Sequence, residues 1–198
     1  AAYATTLVAD AFDCSFPASM RVLGLFVGVD RQLDGDNIRS LNFAAEDAEA
    51  LWATFADINE QFGSGAPADT VLLTGEAATV GKVREALSGL VTRSKQTDYD
   101  LAVIHFSCHG VPSGQLVLHD TLHGEEVDTG LSLRKVTELA NAIDVQRMVI
   151  ALDACFSGAA AGHRPVRPRA GGHPLGRGSR AAGRCADGAR RRSAALVV

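Results

Sequence analysis

Two aliphatic runs that each end at a reactive side chain constrain this sequence most strongly. Residues 101–106 (LAVIHF) lead to His109, and residues 147–152 (RMVIAL) lead to Cys155. Neither run alternates between apolar and polar residues, which predicts strands of a parallel sheet covered on both faces. Functional groups in such sheets gather beyond the carboxyl ends of the strands. If the two strands are neighbours, a histidine and a cysteine lie side by side at one sheet edge.

The remaining apolar patterns alternate between strands and helices along the chain. Asn42 is a candidate cap for the first helix, and Gly89 weakens the prediction for the last turn of the second. The order is β-α-β-α-β-loop-α-β, which predicts an α/β fold with a mostly parallel sheet. The further predicted elements are strands at 20–29 and 70–73, a short hairpin strand at 115–118, and helices at 43–58, 79–91 and 131–143.

Composition indicates a globular protein of the cytoplasm. Of 198 residues, 46% are hydrophobic and 21% charged, which is ordinary for a globular domain. No apolar run approaches the roughly 20 residues that cross a bilayer, and residues 1–20 lack the basic start of a secretory signal. The four cysteines form no C-x-x-C pair, which argues against a zinc ribbon and a disulfide scaffold. We therefore expect free thiols, a reducing compartment and no membrane partner.

Charge divides the chain into unlike segments. Residues 163–198 hold nine arginines and one acidic residue, whereas residues 1–162 hold 10 basic and 22 acidic residues. The basic segment is rich in Gly, Ala and Pro and has no periodic pattern, so it is either a disordered tail or a stretch read out of frame from GC-rich DNA. The predicted organisation is an N-terminal extension over 1–19, a catalytic domain over 20–162 and a tail over 163–198.

The residues at the two strand ends are those that cysteine catalysis requires. Cys155 is the candidate nucleophile and His109 the candidate general acid and base. Gly110 lacks a Cβ, so a substrate carbonyl can approach its backbone, and its N–H can join that of Cys155 as an oxyanion hole. Cys108 is a competing nucleophile, but we expect it to point to the opposite side of the strand and to pack in the core.

These motifs resemble those of a known peptidase clan. Residues 106–110 (FSCHG) are similar to the [F/Y]-S-G-H-G segment of caspases and metacaspases, and residues 153–158 (DACFSG) to the D-x-C-H/F-S-G segment of metacaspases and their bacterial relatives. Residues 25–29 (LFVGV) and 41–48 (LNFAAEDA) resemble the opening strand and the start of the first helix of that family. The resemblance covers about residues 20–162 and implies a caspase-like three-layer sandwich, with Cys155 as nucleophile and His109 as acid and base.

The resemblance also implies a substrate class. Asp153 matches the acidic residue of the metacaspase P1 pocket, and Asp47 and Ser107 match its other polar members. A partly buried pair of carboxylates would select a guanidinium or an ammonium group. We therefore expect a cysteine endopeptidase that acts on polypeptides after Arg or Lys, and neither a nucleic acid nor a membrane as partner. The alternative is a catalytically inactive caspase-like interaction module; a nucleotide-binding domain is disfavoured because no Gly-rich phosphate loop follows the first strand.

Two departures from the family qualify these expectations. Cys108 stands where the family has Gly, and the Arg-rich segment replaces the strands that follow the nucleophile, so the sheet is expected to lack its C-terminal strands and to expose an edge. Metacaspases are often activated by calcium, and Asp120, Glu125, Glu126 and Asp128 supply oxygen atoms in one loop. Their spacing does not match an EF-hand, which favours a solvated acidic loop and leaves no metal ligand assigned.

Overall fold

The computed structural model describes residues 20–62 and 69–155, together with the backbone of residues 193–197. In these ranges a five-stranded sheet has the order β2-β1-β3-β7-β8, and every neighbouring pair is parallel. A second sheet of three short antiparallel strands has the order β4-β5-β6. The strands are β1 Val22–Gly28, β2 Thr70–Thr74, β3 Leu101–Ser107, β4 His109–Val111, β5 Gln115–Val117, β6 Leu131–Ser132, β7 Arg147–Asp153 and β8 Ser193–Val197; the helices are α1 Ala44–Phe62, α2 Val80–Gln96, α3 Glu126–Thr129 and α4 Leu133–Ala142.

Helices cover both faces of the large sheet, which confirms the predicted α/β class. All seven residues of β1 and all seven of β3 are buried, as expected for strands without alternation. The same expectation is wrong for β7, in which only two of seven residues are buried because its faces are covered only in part. On one face, Ala48 and Phe55 of α1 pack with Phe26 and Val103. On the other face, the apolar residues of α2 and α4 pack with the remaining strand residues. The result is three layers, helix, sheet and helices.

The first turn of α1 lies directly on the carboxyl end of β1. A Cβ at Gly28 would stand 2.7 Å from the Cα of Ala45, so only glycine allows this approach. The carboxylate of Asp30 accepts hydrogen bonds from the backbone N–H of Ala44 at 2.7 Å and of Ala45 at 3.2 Å. The prediction that Asn42 caps this helix is therefore wrong, because Asp30, which follows β1, accepts hydrogen bonds from the free N–H groups of the first turn.

The second helix extends further than its sequence suggested. The side chain of Thr79 caps α2 by accepting from the N–H of Lys82 at 3.3 Å. Gly89 does not end the helix, which continues to Gln96 and buries Leu90 and Ser94 in its final turns. Burial of that face outweighs the glycine, whose cost in a helix is only about 1 kcal/mol.

The expectation that no strand follows Cys155 is wrong for one short segment. β8 pairs with β7 from Arg147 to Ala151 and covers the edge that was expected to be open. Its sequence, SAALV, is too short for a periodic pattern to predict a strand. The strand forms because the outer edge of β7 offers backbone N–H and C=O groups for pairing. The predictions for residues 1–19, for the glycine-rich break at 63–67 and for residues 156–192 lie outside the described residues.

Candidate functional site

The two predicted strand ends are neighbours in the sheet. β3 and β7 run in parallel register, with Ser107 opposite Asp153. The ladder continues one step further, since the N–H of Cys108 donates to the carbonyl of Asp153 at 3.1 Å. The segments that carry His109 and Cys155 therefore leave the sheet from adjacent positions at its carboxyl edge.

Gly110 touches the backbone of the cysteine segment. A Cβ at Gly110 would overlap the carbonyl oxygen of Cys155 and stand 3.5 Å from the Cβ of Ala154. The sequence suggested that this glycine leaves space for a substrate carbonyl. That reason is wrong, because the space at its Cα is filled by the carbonyl of Cys155. This contact brings the two residues of the expected oxyanion hole together.

A backbone carbonyl orients the imidazole of His109. Its Nε2 lies 2.6 Å from the carbonyl oxygen of Arg39, in the loop between β1 and α1. A carbonyl only accepts hydrogen bonds, so Nε2 carries the proton and Nδ1 of the neutral ring is left as the acceptor. The sequence could not reveal this partner, since any residue at position 39 supplies a carbonyl.

The two cysteines near the site differ in accessibility. Cys155 is an exposed free thiol, whereas Cys108 is only 2% exposed and belongs to the core between the sheet and α2. Burial, together with the nearby charge of Asp153, raises the pKa of Cys108 to about 12. The prediction that Cys108 is a packing residue is confirmed. Among the described cysteines, Cys155 alone presents an accessible thiol.

The acidic residues of the expected P1 pocket are exposed rather than partly buried. Asp153 ends β7, and Asp47 lies in the first turn of α1; the side chains of both are exposed. Ser107, in contrast, is 3% exposed. The expectation of a partly buried carboxylate pair is therefore wrong, since neither α1 nor the described part of the β7 segment covers these two positions.

The periodicity of the strands and of α1 puts Asp47, Ser107 and Asp153 near one corner of the sheet. Val103 and Val149 pack against α1, so alternation puts Ser107 and Asp153 on the same face. The indole Nε1 of Trp52 donates to the carbonyl of Thr70 on β2, which fixes one flank of α1 toward that edge strand. Asp47 lies on the opposite flank, because five residues along a helix correspond to a rotation of about 140°. That flank faces β3, beyond which β7 is the next strand of the sheet.

His105 is a further distinctive group on this face, and it was not predicted from the sequence. It lies two residues before Ser107, is 5% exposed, and its Nδ1 has no hydrogen-bond partner. Burial lowers its pKa from 6.5 to about 4, although the nearby charge of Asp153 acts in the opposite direction. The signal was a histidine within an otherwise aliphatic strand, but such residues are often simply packed in the core.

The acidic loop makes local contacts. The carboxylate of Asp120 accepts from the N–H of Val80 at 2.9 Å and so caps α2. Glu126 accepts from the N–H of Gly124 at 3.0 Å and lies 3.4 Å from the His123 ring. Within residues 20–62 and 69–155, no three His, Cys, Asp or Glu side chains are grouped closely enough to hold a metal ion. Calcium dependence remains a prediction from the resemblance alone.

Comparisons with family models and with curated proteins found no match to this chain. None of the helices in the described ranges has the length and apolar character needed to span a membrane.

Proposed function

We propose that this protein is a cysteine endopeptidase in which Cys155 and His109 form the catalytic pair. The contact between Gly110 and the Cys155 carbonyl carries this proposal, because it joins the two motif segments at one sheet edge. The Arg39 carbonyl adds support, since it favours the His109 tautomer that can accept a proton at Nδ1. The sequence resemblance to the caspase–metacaspase clan independently favours the same two residues.

The proposed reaction transfers one proton and forms one thioester. Nδ1 of His109 takes the proton of the Cys155 thiol, and the sulfur attacks the carbonyl carbon of the scissile peptide bond. The N–H groups of Gly110 and Cys155 donate to the resulting oxyanion. His109 then returns its proton to the leaving amine as the C–N bond breaks. A water molecule hydrolyses the thioester, and the thiol is restored.

The acidic corner favours substrates with Arg or Lys before the cleaved bond. Asp153 precedes the nucleophile by two residues, and Asp47 lies on the flank of α1 that faces it. Exposed carboxylates contribute only about 0–1 kcal/mol to an ion pair in water. We therefore propose that discrimination arises when the bound polypeptide excludes water from this corner, which strengthens the charge interaction.

The setting proposed for this activity is the cytoplasm, with a polypeptide as substrate. Both described cysteines are free. Residues 1–162 are strongly acidic, which disfavours nucleic acid as a ligand of the catalytic domain. An acidic surface instead attracts polypeptides rich in Arg and Lys.

Paired fluorogenic peptides with Arg or Asp at P1, assayed with and without calcium, test the proposal. We expect hydrolysis after Arg, loss of at least about 1,000-fold in Cys155→Ala, and little change in Cys108→Ala. Activity that survives Cys155→Ala would refute the assignment of the nucleophile, and preference for Asp would refute the role of Asp153. Absence of both hydrolysis and Cys155 labelling by an arginine-directed covalent inhibitor would favour the inactive interaction module.

A further inference from the structure

We propose that Phe43 forms an aromatic wall of the acidic corner and gives the enzyme a preference for Arg over Lys at P1. This inference rests on the proposed peptidase function and adds a specificity residue to it. Phe43 directly precedes α1 and is 64% exposed. In contrast, Phe55 of the same helix packs against the sheet and is only 4% exposed. A single exposed apolar residue is common, so the exposure of Phe43 alone does not indicate a site; its position beside Asp47 does.

Phe43 lies one helical turn before Asp47. The N–H of Asp47 donates to the carbonyl of Phe43 at 2.9 Å, which is the bond that opens α1. Residues four apart on a helix share a face, so positions 43 and 47 begin on the same side of α1, one turn apart. The contact of Gly28 with the first turn of α1 holds both at the carboxyl edge of the sheet.

The orientation of α1 places Phe43 on the side of the nucleophile. Trp52 bonds to the β2 carbonyl on one flank. The helix also contacts β3, which lies on the other side of β1 from β2 and so marks the other flank. Phe43 is displaced from Trp52 by nine residues, or about 180° of helix rotation. Position 43 therefore begins on the flank of α1 that faces β3, the strand that ends at Ser107 opposite Asp153.

An aromatic face beside carboxylates distinguishes the two basic side chains. A guanidinium is planar and weakly hydrated, so it can stack on a ring while its N–H groups donate sideways to carboxylates. A Lys ammonium is a compact, strongly hydrated charge that gains less from the ring. Asp47 and Asp153 therefore attract a P1 Arg and a P1 Lys alike. Phe43 stabilises the bound Arg more than the bound Lys.

The test compares matched fluorogenic peptides with Arg or Lys at P1 in three variants. In Phe43→Leu, which keeps apolar volume but removes the ring, we expect the ratio of kcat/KM for Arg over Lys to fall about two- to fivefold, the equivalent of an exposed cation–π contact. Phe43→Trp should keep or raise the ratio. Val127→Ala, which alters another strongly exposed apolar residue away from the corner, should leave it unchanged.

The outcomes separate this inference from the proposed function. An unchanged ratio in Phe43→Leu, with hydrolysis intact, would overturn the role of Phe43 and leave the peptidase assignment standing. An equal fall in Phe43→Leu and Phe43→Trp would also overturn it, because shape rather than the ring would then decide. Wild-type protein that hydrolyses neither peptide would overturn the proposed function and this inference with it.

Discussion

At the scale of single residues, Gly110 is the position where the site tolerates least change. Its Cα faces the carbonyl of Cys155 so closely that any side chain must move one segment away from the other. Gly81 offers a contrast, since a Cβ there would meet no atom within 4 Å. The two glycines therefore separate an effect on the site from the general effect of adding a methyl group.

We expect Gly110→Ala to reduce kcat/KM about 10- to 100-fold, because a displacement near 1 Å misaligns the nucleophile and its base. The forced contact should also lower the free energy of unfolding by about 1–3 kcal/mol. Gly81→Ala should instead raise stability by up to about 1 kcal/mol and leave activity intact. Peptide hydrolysis and urea denaturation of both variants check this pair; equal activities would contradict the proposed packing.

His105 makes stability depend on pH in a specific window. Its folded pKa of about 4 lies below the ordinary value of 6.5. Between these values the unfolded chain binds the proton and the folded chain does not, so stability falls as pH decreases from about 6.5 toward 4. The full contribution is about 3 kcal/mol.

His105→Gln removes this titration. The difference in unfolding free energy between wild type and variant should therefore shrink by about 2–3 kcal/mol from pH 7 to pH 4. Urea denaturation at several pH values measures it, and other titrating groups cancel in the difference. A constant difference across this range would mean that His105 is not held neutral by burial.

At the scale of elements, the start of α1 connects the packing of the fold to the acidic corner that contains Asp47 and Asp153. Asp30 caps two N–H groups of this helix, and the first turn carries Asp47. Loss of the cap frays the first turn, because those donors then lack a partner. The consequence should reach beyond stability to the position of Asp47.

We expect Asp30→Ala to destabilise the protein by about 1–2 kcal/mol and to raise KM for an Arg peptide more than it lowers kcat. Asp36→Ala removes the same charge from an exposed position in the same loop and serves as its control. Denaturation curves and steady-state kinetics distinguish the two. If both variants behaved alike, the effect would be one of net charge rather than capping.

Except for β8, the strands of the large sheet could be predicted from the sequence, whereas the partners of the site residues could not. The continuous apolar runs of β1, β3 and β7 predicted the parallel sheet, because continuous apolar character has few other solutions in a domain of this size. The hydrogen-bond partners of individual groups could not be predicted from the sequence. Asp30, rather than Asn42, caps α1. The carbonyl of Arg39, far from His109 in the chain, accepts a hydrogen bond from its imidazole. The exposure of Asp47 and Asp153 was missed for the same reason, since it depends on what packs beside them.

At the scale of the whole molecule, β8 is the last described strand and forms the edge of the large sheet beside β7. β7 carries the Cys155 segment, and its outer edge pairs with β8 over five residues. Without that pairing, the backbone groups of β7 would form an open parallel edge, which is prone to pair with other chains. β8 therefore closes the outer edge of β7 within the described part of the sheet.

Deletion of residues 193–198 tests this closure. We expect a lower urea midpoint and aggregation that increases with protein concentration, because the edge of β7 becomes a template for intermolecular pairing. Deletion of Val198 alone leaves all five paired residues of β8 in place and should behave as wild type. Light scattering and denaturation measure both. A truncated chain that stayed monomeric with an unchanged midpoint would show that β8 does not stabilise the sheet, and the site at the end of β7 would then depend on β3 alone for its support.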